Sequence, residues 1–134
     1  MLMSAADYRE SLRAYKPRVF VKGNAVASVA DEPLLAPGIA SVGVTYDFAH
    51  RPEHAALMTA CQETTGKTVN RMVHINETST DLLYKLEAVR LVCKVSGCAQ
   101  RYLTHDALNG IFQGTKRTDI EHSTDYHQLP QLPS

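Results

Sequence analysis

The chain alternates between helical stripes and short extended runs. Ser4 can cap a helix on which Tyr8, Leu12 and Tyr15 recur every three to four residues, and Pro17 ends it. Residues 18–22 are β-prone, Gly23-Asn24 reads as a turn, and residues 25–28 can pair back, which predicts a small hairpin over 18–28. Residues 31–37 carry Pro33 and Pro37 and read as a connection. Ile39, Val42 and Tyr46 start a second helical stripe that runs to about residue 50. Pro52 suits the first turn of another helix, through Leu57 and Met58 to Cys61.

Val69, Arg71, Val73 and Ile75 then alternate, as in an extended segment. Ser79 caps the strongest helical pattern, with Leu82, Leu83, Leu86, Val89, Cys93 and Val95 on its apolar side; Ser96-Gly97 bends or interrupts it. Thr104 can cap a further helix bearing Leu108, Ile111 and Phe112, with Gly114 at its C-terminal end, and Thr118 can cap a last short one. The fold class expected is mainly α. The helical pattern stops after His127, where Pro130 and Pro133 break it, so a helical domain over 1–127 and an irregular tail over 128–134 are expected. That tail reads as a chain cut short or ending in unrelated residues.

Composition narrows the function classes. Fourteen basic residues balance fourteen acidic ones, which points away from nucleic acid and from an anionic membrane surface as partners. No apolar run reaches the length of a membrane span, and Met1-Leu2-Met3-Ser4 leads into a charged helical pattern without a signal-peptide core. Cys61, Cys93 and Cys98 are odd in number and irregularly spaced, so reduced thiols and a cytoplasmic location are expected, where the sequon Asn76-Glu77-Thr78 stays silent.

Four constellations could carry chemistry. Gly66-Lys67-Thr68 ends like a phosphate-binding loop, but Cys61 stands where that loop needs its first glycine. His50-Arg51-Pro52-Glu53-His54 matches the H-x-x-E-H spacing of some zinc peptidases, yet Pro52 starts a helix that leaves His50 outside. Asp119, Glu121, His122, Asp125 and His127 could ligate a metal, although a solvated face is the simpler reading. In Cys98-Ala99-Gln100-Arg101-Tyr102, Cys98 and Tyr102 are four apart, as are Arg101 and His105. Thiol, phenol, guanidinium and imidazole on one helix could line a pocket; a buried cysteine and a surface ion pair are the bland alternative.

These segments resemble a known family. Met1-Leu2-Met3, the run from Tyr8 to Arg13, Gly66-Lys67-Thr68-Val69-Asn70-Arg71, Ser79-Thr80-Asp81-Leu82, Cys98-Ala99-Gln100-Arg101, Gly114-Thr115 and the run from Thr124 to His127 follow in the order and spacing of one family. The chain thereby resembles the N-terminal part of the 4-hydroxyphenylacetate 3-hydroxylase and 4-hydroxybutyryl-CoA dehydratase family, over residues 1 to about 127.

The resemblance implies the helical N-terminal domain of an acyl-CoA dehydrogenase-like flavoenzyme, usually a homotetramer, with FAD held largely by later parts. In the dehydratase branch a C-x-x-x-C helix gives two ligands to an iron–sulfur cluster: Cys98 matches the first and Tyr102 stands at the second, which argues against a cluster, since a phenol is a poor substitute for thiolate. Gln100 matches a glutamine lining that pocket. The hydroxylase branch uses reduced flavin, oxygen and a flavin reductase, and holds a phenol by R-x-x-x-Y: Arg101 matches the arginine, and His105 stands in place of the tyrosine.

The resemblance thus implies Arg101, Tyr102 and His105 as catalytic and Gln100 and Arg101 as substrate-binding. Three readings follow. The first is part of a flavin-dependent monooxygenase acting on a small aromatic substrate. The second is part of a dehydratase or isomerase acting on a CoA thioester. The third is a truncated helical module without activity, whose apolar face over residues 82–95 is built to bury against something else.

Overall fold

The computed structural model describes residues 2–98 and 100–125, and of Gln100 the backbone only. Five α-helices and two short antiparallel strand pairs make up its regular elements among the described residues, so the mainly α expectation holds. None of these helices is long and apolar enough to cross a membrane.

Helix α1, Ala5–Ala14, begins in a capping box in which the Ser4 hydroxyl accepts from the Asp7 amide and the Asp7 carboxylate accepts from the Ser4 amide. Arg13 near its end grips Asp31 through Nε at 3.1 Å and Nη2 at 2.7 Å, which holds that carboxyl at a pKa of about 2. Strands β1, Phe20–Val21, and β2, Asn24–Ala25, form the expected hairpin. Its turn is Lys22-Gly23 rather than Gly23-Asn24, with φ of 50° and 83°, the double left-handed conformation that matches strand twist.

Helix α2, Ala36–Asp47, packs along α1. Gly43 permits the approach: a β-carbon there would lie 3.1 Å from that of Ala5. Helix α3, Pro52–Met58, is shorter than its sequence pattern suggests, because Thr59, Ala60, Cys61 and Gln62 leave it as strand β3, Thr59–Gln62. Strand β4, Lys67–Asn70, pairs back on β3, and a 3-10 turn, Arg71–Val73, ends the extended stretch earlier than its alternation predicts.

Helix α4, Ser79–Ser96, is capped by Thr78 rather than Ser79, in a second capping box closed by Asp81. Gly97, at φ 65°, ends it in the left-handed conformation. Helix α5, Gln100–His122, is continuous where two helices were expected. The Thr115 and Thr118 hydroxyls donate to the carbonyls of Ile111 and Gly114, four residues back, so these threonines stay within the helix rather than capping new ones.

The core lies where α2, α3, α4 and the turn after β4 meet: Phe48, Ala49, Met58, Met72, Ala88 and Val92 are buried, with Val44, Leu57, Val89 and Leu91 packed around them. Helix α4 therefore turns Lys85, Ala88 and Val92 inward. Most of the expected apolar stripe, Leu82, Leu83, Leu86 and Val95, is exposed to solvent, as are Leu103, Ile111 and Ile120 of α5. An apolar face of this kind is unusual on a surface that remains free.

Candidate functional site

Arg101 sits in the first turns of α5, opposite the C-terminal half of α2. Its Nη1 donates to the Thr45 hydroxyl at 2.8 Å, and its guanidinium carbon lies 4.4 Å from the centre of the Tyr46 ring. Tyr46 in turn stacks on Tyr8 of α1, with centroids 5.1 Å apart. Three helices thus build one site. The cation rests on an aromatic face whose quadrupole attracts it. Burial depresses the guanidinium's pKa, opposed by the Tyr46 and Tyr8 phenols, and burial likewise raises that of Tyr8. Among the described residues no carboxylate lies within ion-pair distance of Arg101. A desolvated cation without a counter-ion favours an incoming anion or strong acceptor.

Arg101 borders a small, open cleft lined also by Ser41, Thr45, Met72, Val89, Val92, Cys98 and Tyr102. Cys98 does not share a helical face with Tyr102, since it precedes α5 and its carbonyl is held by the Ser96 hydroxyl at 2.7 Å. Both side chains still border the cleft.

The ring of Tyr102 lies 4.8 Å below the Lys85 ammonium. Lys85 is buried and pairs with Asp106. That hydrogen bond, with a further one from Tyr102, keeps the Asp106 carboxyl below its ordinary pKa. The phenol is therefore tied to an ion pair. With Tyr102 so engaged, the cleft offers one thiol where an iron–sulfur cluster would need two, and the residues present do not fit such a group.

His105 is not brought to the cleft. It is fully buried, with Nε2 3.2 Å from the side-chain carboxamide nitrogen of Asn76, and it faces the segment after β4. Four residues advance a helix by about 6 Å, which carries the chain from α2 to that segment. Burial lowers the His105 pKa, and the charge of Lys85 lowers it further. Asn109, one turn on, donates to the carbonyls of His74 and His105 and accepts from the Asn76 amide.

The segment over residues 70–81 holds a buried polar network that the alternating pattern did not suggest. Arg71 donates to the carbonyls of Leu57 and Thr59, both at 2.6 Å, and sits 5.0 Å over the Tyr84 ring. His74 meets the Gln62 carboxamide through Nδ1 at 3.0 Å and Asp81 through Nε2 at 3.5 Å. Asn70 donates to the Thr45 carbonyl at 2.8 Å and accepts from the Met72 amide at 3.0 Å. The signal available in the sequence was the polar spacing of Asn70, Arg71, His74 and Asn76 within an apolar stretch.

The remaining motifs stay apart. Gly66 makes the β3–β4 turn at φ 65°, with Lys67 exposed beside it. His50 contacts the Met3 carbonyl, whereas His54 packs on the Phe48 ring at 4.7 Å. Glu121 pairs with Arg117, Asp119 accepts from Thr124, and His127 lies outside the described residues. Among the described residues no three His, Cys, Asp or Glu side chains converge as a metal site would require.

The helical lobe thus presents an arginine at a cleft and, on α4 and α5, an exposed apolar face. The chain belongs to the 4-hydroxyphenylacetate 3-hydroxylase family: the sequence model of that family's N-terminal region matches residues 4–129. It is 37% identical over 129 residues to the 4-hydroxybutyryl-CoA dehydratase/vinylacetyl-CoA-Δ-isomerase of Clostridium aminobutyricum, covering 96% of this chain and 26% of that protein. An oxygen-tolerant archaeal 4-hydroxybutyryl-CoA dehydratase from N. maritimus superposes with a TM-score of 0.87 at 38% identity, over 96% of this chain and 25% of that one. The FAD complex of the oxygenase component (HpaB) of 4-hydroxyphenylacetate 3-monooxygenase matches with a TM-score of 0.58 at 25% identity, over 68% of this chain and 19% of that one. The chain thus spans about a quarter of the length of the dehydratases it matches.

Proposed function

We propose that this chain is the substrate-facing helical wall of a FAD-dependent enzyme, and that the whole enzyme hydroxylates a small phenolic substrate. The observation that carries the reading is Arg101, a half-buried cation with no carboxylate within ion-pair distance among the described residues, at a cleft it shares with a phenol. Such a cation stabilises charge developing on a phenolic oxygen, and the ionised ring is the more reactive toward an electrophilic oxygen donor. Reduced flavin, when bound, supplies the electrons that activate oxygen.

The chain's own residues do the rest. Arg101 holds and orients the substrate oxygen. Tyr46 and Tyr8 shield the guanidinium from water. Tyr102, linked to the partly exposed Asp106, can relay the substrate's proton outward. Gln100 is a further substrate contact on the strength of the family resemblance. His105 enters this reading as the residue that seats α5, through its contact with Asn76, rather than as a substrate contact.

On this reading FAD lies beside the cleft and is held largely by other parts of the enzyme; the β3–β4 turn with Gly66 and Lys67 is an exposed hairpin. The isolated wall is accordingly inactive. The whole enzyme is a cytoplasmic homotetramer served by a flavin reductase.

A second reading is favoured by a specific observation: both dehydratase comparisons cover 96% of this chain at 37–38% identity. On it, Arg101 and Gln100 would hold the acyl part of a CoA thioester, with Cys98 alone replacing the paired thiols.

The test is full-length protein purified anaerobically, assayed for oxygen uptake with reduced FAD and 4-hydroxyphenylacetate, and for conversion of 4-hydroxybutyryl-CoA, alongside iron analysis. Hydroxylated product with negligible iron is expected. Thioester conversion with four irons per chain would replace the first reading by the second.

A further inference from the structure

We infer that Thr45 and Asn70 are positioning residues that hold Arg101 in the orientation its binding role needs; the inference rests on the role proposed for Arg101. Arg101 is a long side chain reaching across from α5, and an unpaired guanidinium has many rotamers to lose. Its single hydrogen bond to a neighbouring side chain among the described residues goes to the Thr45 hydroxyl. That hydroxyl is itself aimed, because it donates to the Val42 carbonyl at 2.7 Å and so turns its lone pairs toward the guanidinium.

A threonine that back-bonds within a helix normally weakens it slightly. Here Thr45 is 2% exposed, lies near the end of α2 and keeps its own carbonyl bound from outside, by the Asn70 amide at 2.8 Å. Asn70 is in turn fixed by accepting from the Met72 amide at 3.0 Å, where it caps the 3-10 turn that also walls the cleft through Met72. The path is contiguous: the turn after β4 sets Asn70, Asn70 sets the end of α2, and Thr45 there sets Arg101. The links through Asn70 are buried and those through the Thr45 hydroxyl part-buried, where geometry is held more tightly than at a solvated surface.

The path also accounts for Asn70 beyond the phosphate-loop likeness of Gly66-Lys67-Thr68. The hairpin delivers Asn70 to the end of α2.

The experiment uses the 134-residue chain with arginine side chains labelled in ¹⁵N, so that hydrogen exchange and rotation of the Arg101 Nη groups report its order directly. Thr45→Val removes the acceptor and keeps the shape. Its Arg101 Nη protons should exchange about tenfold faster than in the parent, a loss expected for one charge-assisted bond. Thr45→Ser, which keeps the hydroxyl, should retain the parent signals. Asn70→Asp keeps the acceptor for Met72 but cannot donate to the Thr45 carbonyl, and should broaden them.

Equal Arg101 exchange in Thr45→Val and the parent would overturn the inference. So would loss of order in Thr45→Ser as complete as in Thr45→Val, since the methyl group would then be what matters. If Thr45→Val fails to fold, Thr45→Ser and Asn70→Asp still decide. Titration of the full-length enzyme with 4-hydroxyphenylacetate separates this inference from the proposed function. An ordered Arg101 that binds no such anion in the full-length enzyme counts against the function and leaves the positioning intact.

Discussion

Two arginines define two different regions of this molecule, Arg71 buried and Arg101 half-buried. Arg71 is spent on the fold: two carbonyls accept from it at 2.6 Å, Asp81 lies 3.7 Å from its Nη1, and the Tyr84 ring sits beneath it. Arg101 has one hydroxyl and a pair of stacked tyrosines, with no carboxylate among the described residues within ion-pair distance. Burial lowers the pKa of both guanidiniums, but at Arg71 the charge of Asp81 opposes that, and at Arg101 only the phenols do. A buried charge held by two carbonyls and a nearby carboxylate ties segments together even though its Nη1 has no hydrogen-bond partner among the described residues, whereas a cation with one hydroxyl partner and no nearby carboxylate keeps free energy in reserve for a ligand. The difference separates a structural pin from a binding group on the same protein.

Breaking the pin should have the largest effect on stability. Arg71→Met leaves the Leu57 and Thr59 carbonyls without their donor and Asp81 without its nearest cation, which should cost about 3 kcal/mol. Urea denaturation followed by far-ultraviolet circular dichroism measures it. A cost under about 1 kcal/mol would erase the distinction drawn between the two arginines.

Little of this contrast was legible in the sequence, and the reason is physical. Local signals read well: Ser4 with Asp7 starts α1, Pro52 opens α3, and Gly97 stops α4. These depend on a few neighbouring residues. Burial depends on what lies opposite, which periodicity does not show. The leucines of α4 mark an apolar stripe correctly, but its other side, with Lys85, Ala88 and Val92, faces the core of this lobe. Likewise Arg101 and His105 share a helix at the right spacing yet meet different partners, α2 and the segment after β4. The family resemblance located Arg101; only the fold could show that Thr45 and the tyrosines wait for it.

A smaller effect should come from pH on the Arg71 side of the molecule, where His105 lies near Lys85, Asp106 and His74. Its pKa is lowered from 6.5 by burial first and then by Lys85. Between the lowered value and 6.5 the unfolded chain binds the proton and the folded chain does not. Stability is therefore full above about 6.5 and declines as pH falls through that window, by at most about 1.4 kcal/mol per pH unit for one proton. His105→Gln, which keeps a polar group near Asn76, should flatten the decline when urea midpoints at pH 7.5 and 5.5 are compared. An unchanged slope would show that another group governs it.

The smallest change in stability should come from the second arginine. Arg101→Met removes a desolvated charge and replaces it with an apolar chain that can lie on the Tyr46 ring as the guanidinium does. It orphans little, because the Thr45 hydroxyl keeps its bond to the Val42 carbonyl. Stability should shift by less than about 1 kcal/mol, with either sign. Binding of an anionic phenol by the full-length enzyme should nonetheless fall about a hundredfold, the loss expected for a charge-assisted contact in a dry site. Thermal unfolding and equilibrium dialysis with 4-hydroxyphenylacetate read the two quantities separately. If the variant unfolded as readily as Arg71→Met, Arg101 would be a second pin, and the cleft would lose its claim to hold a substrate.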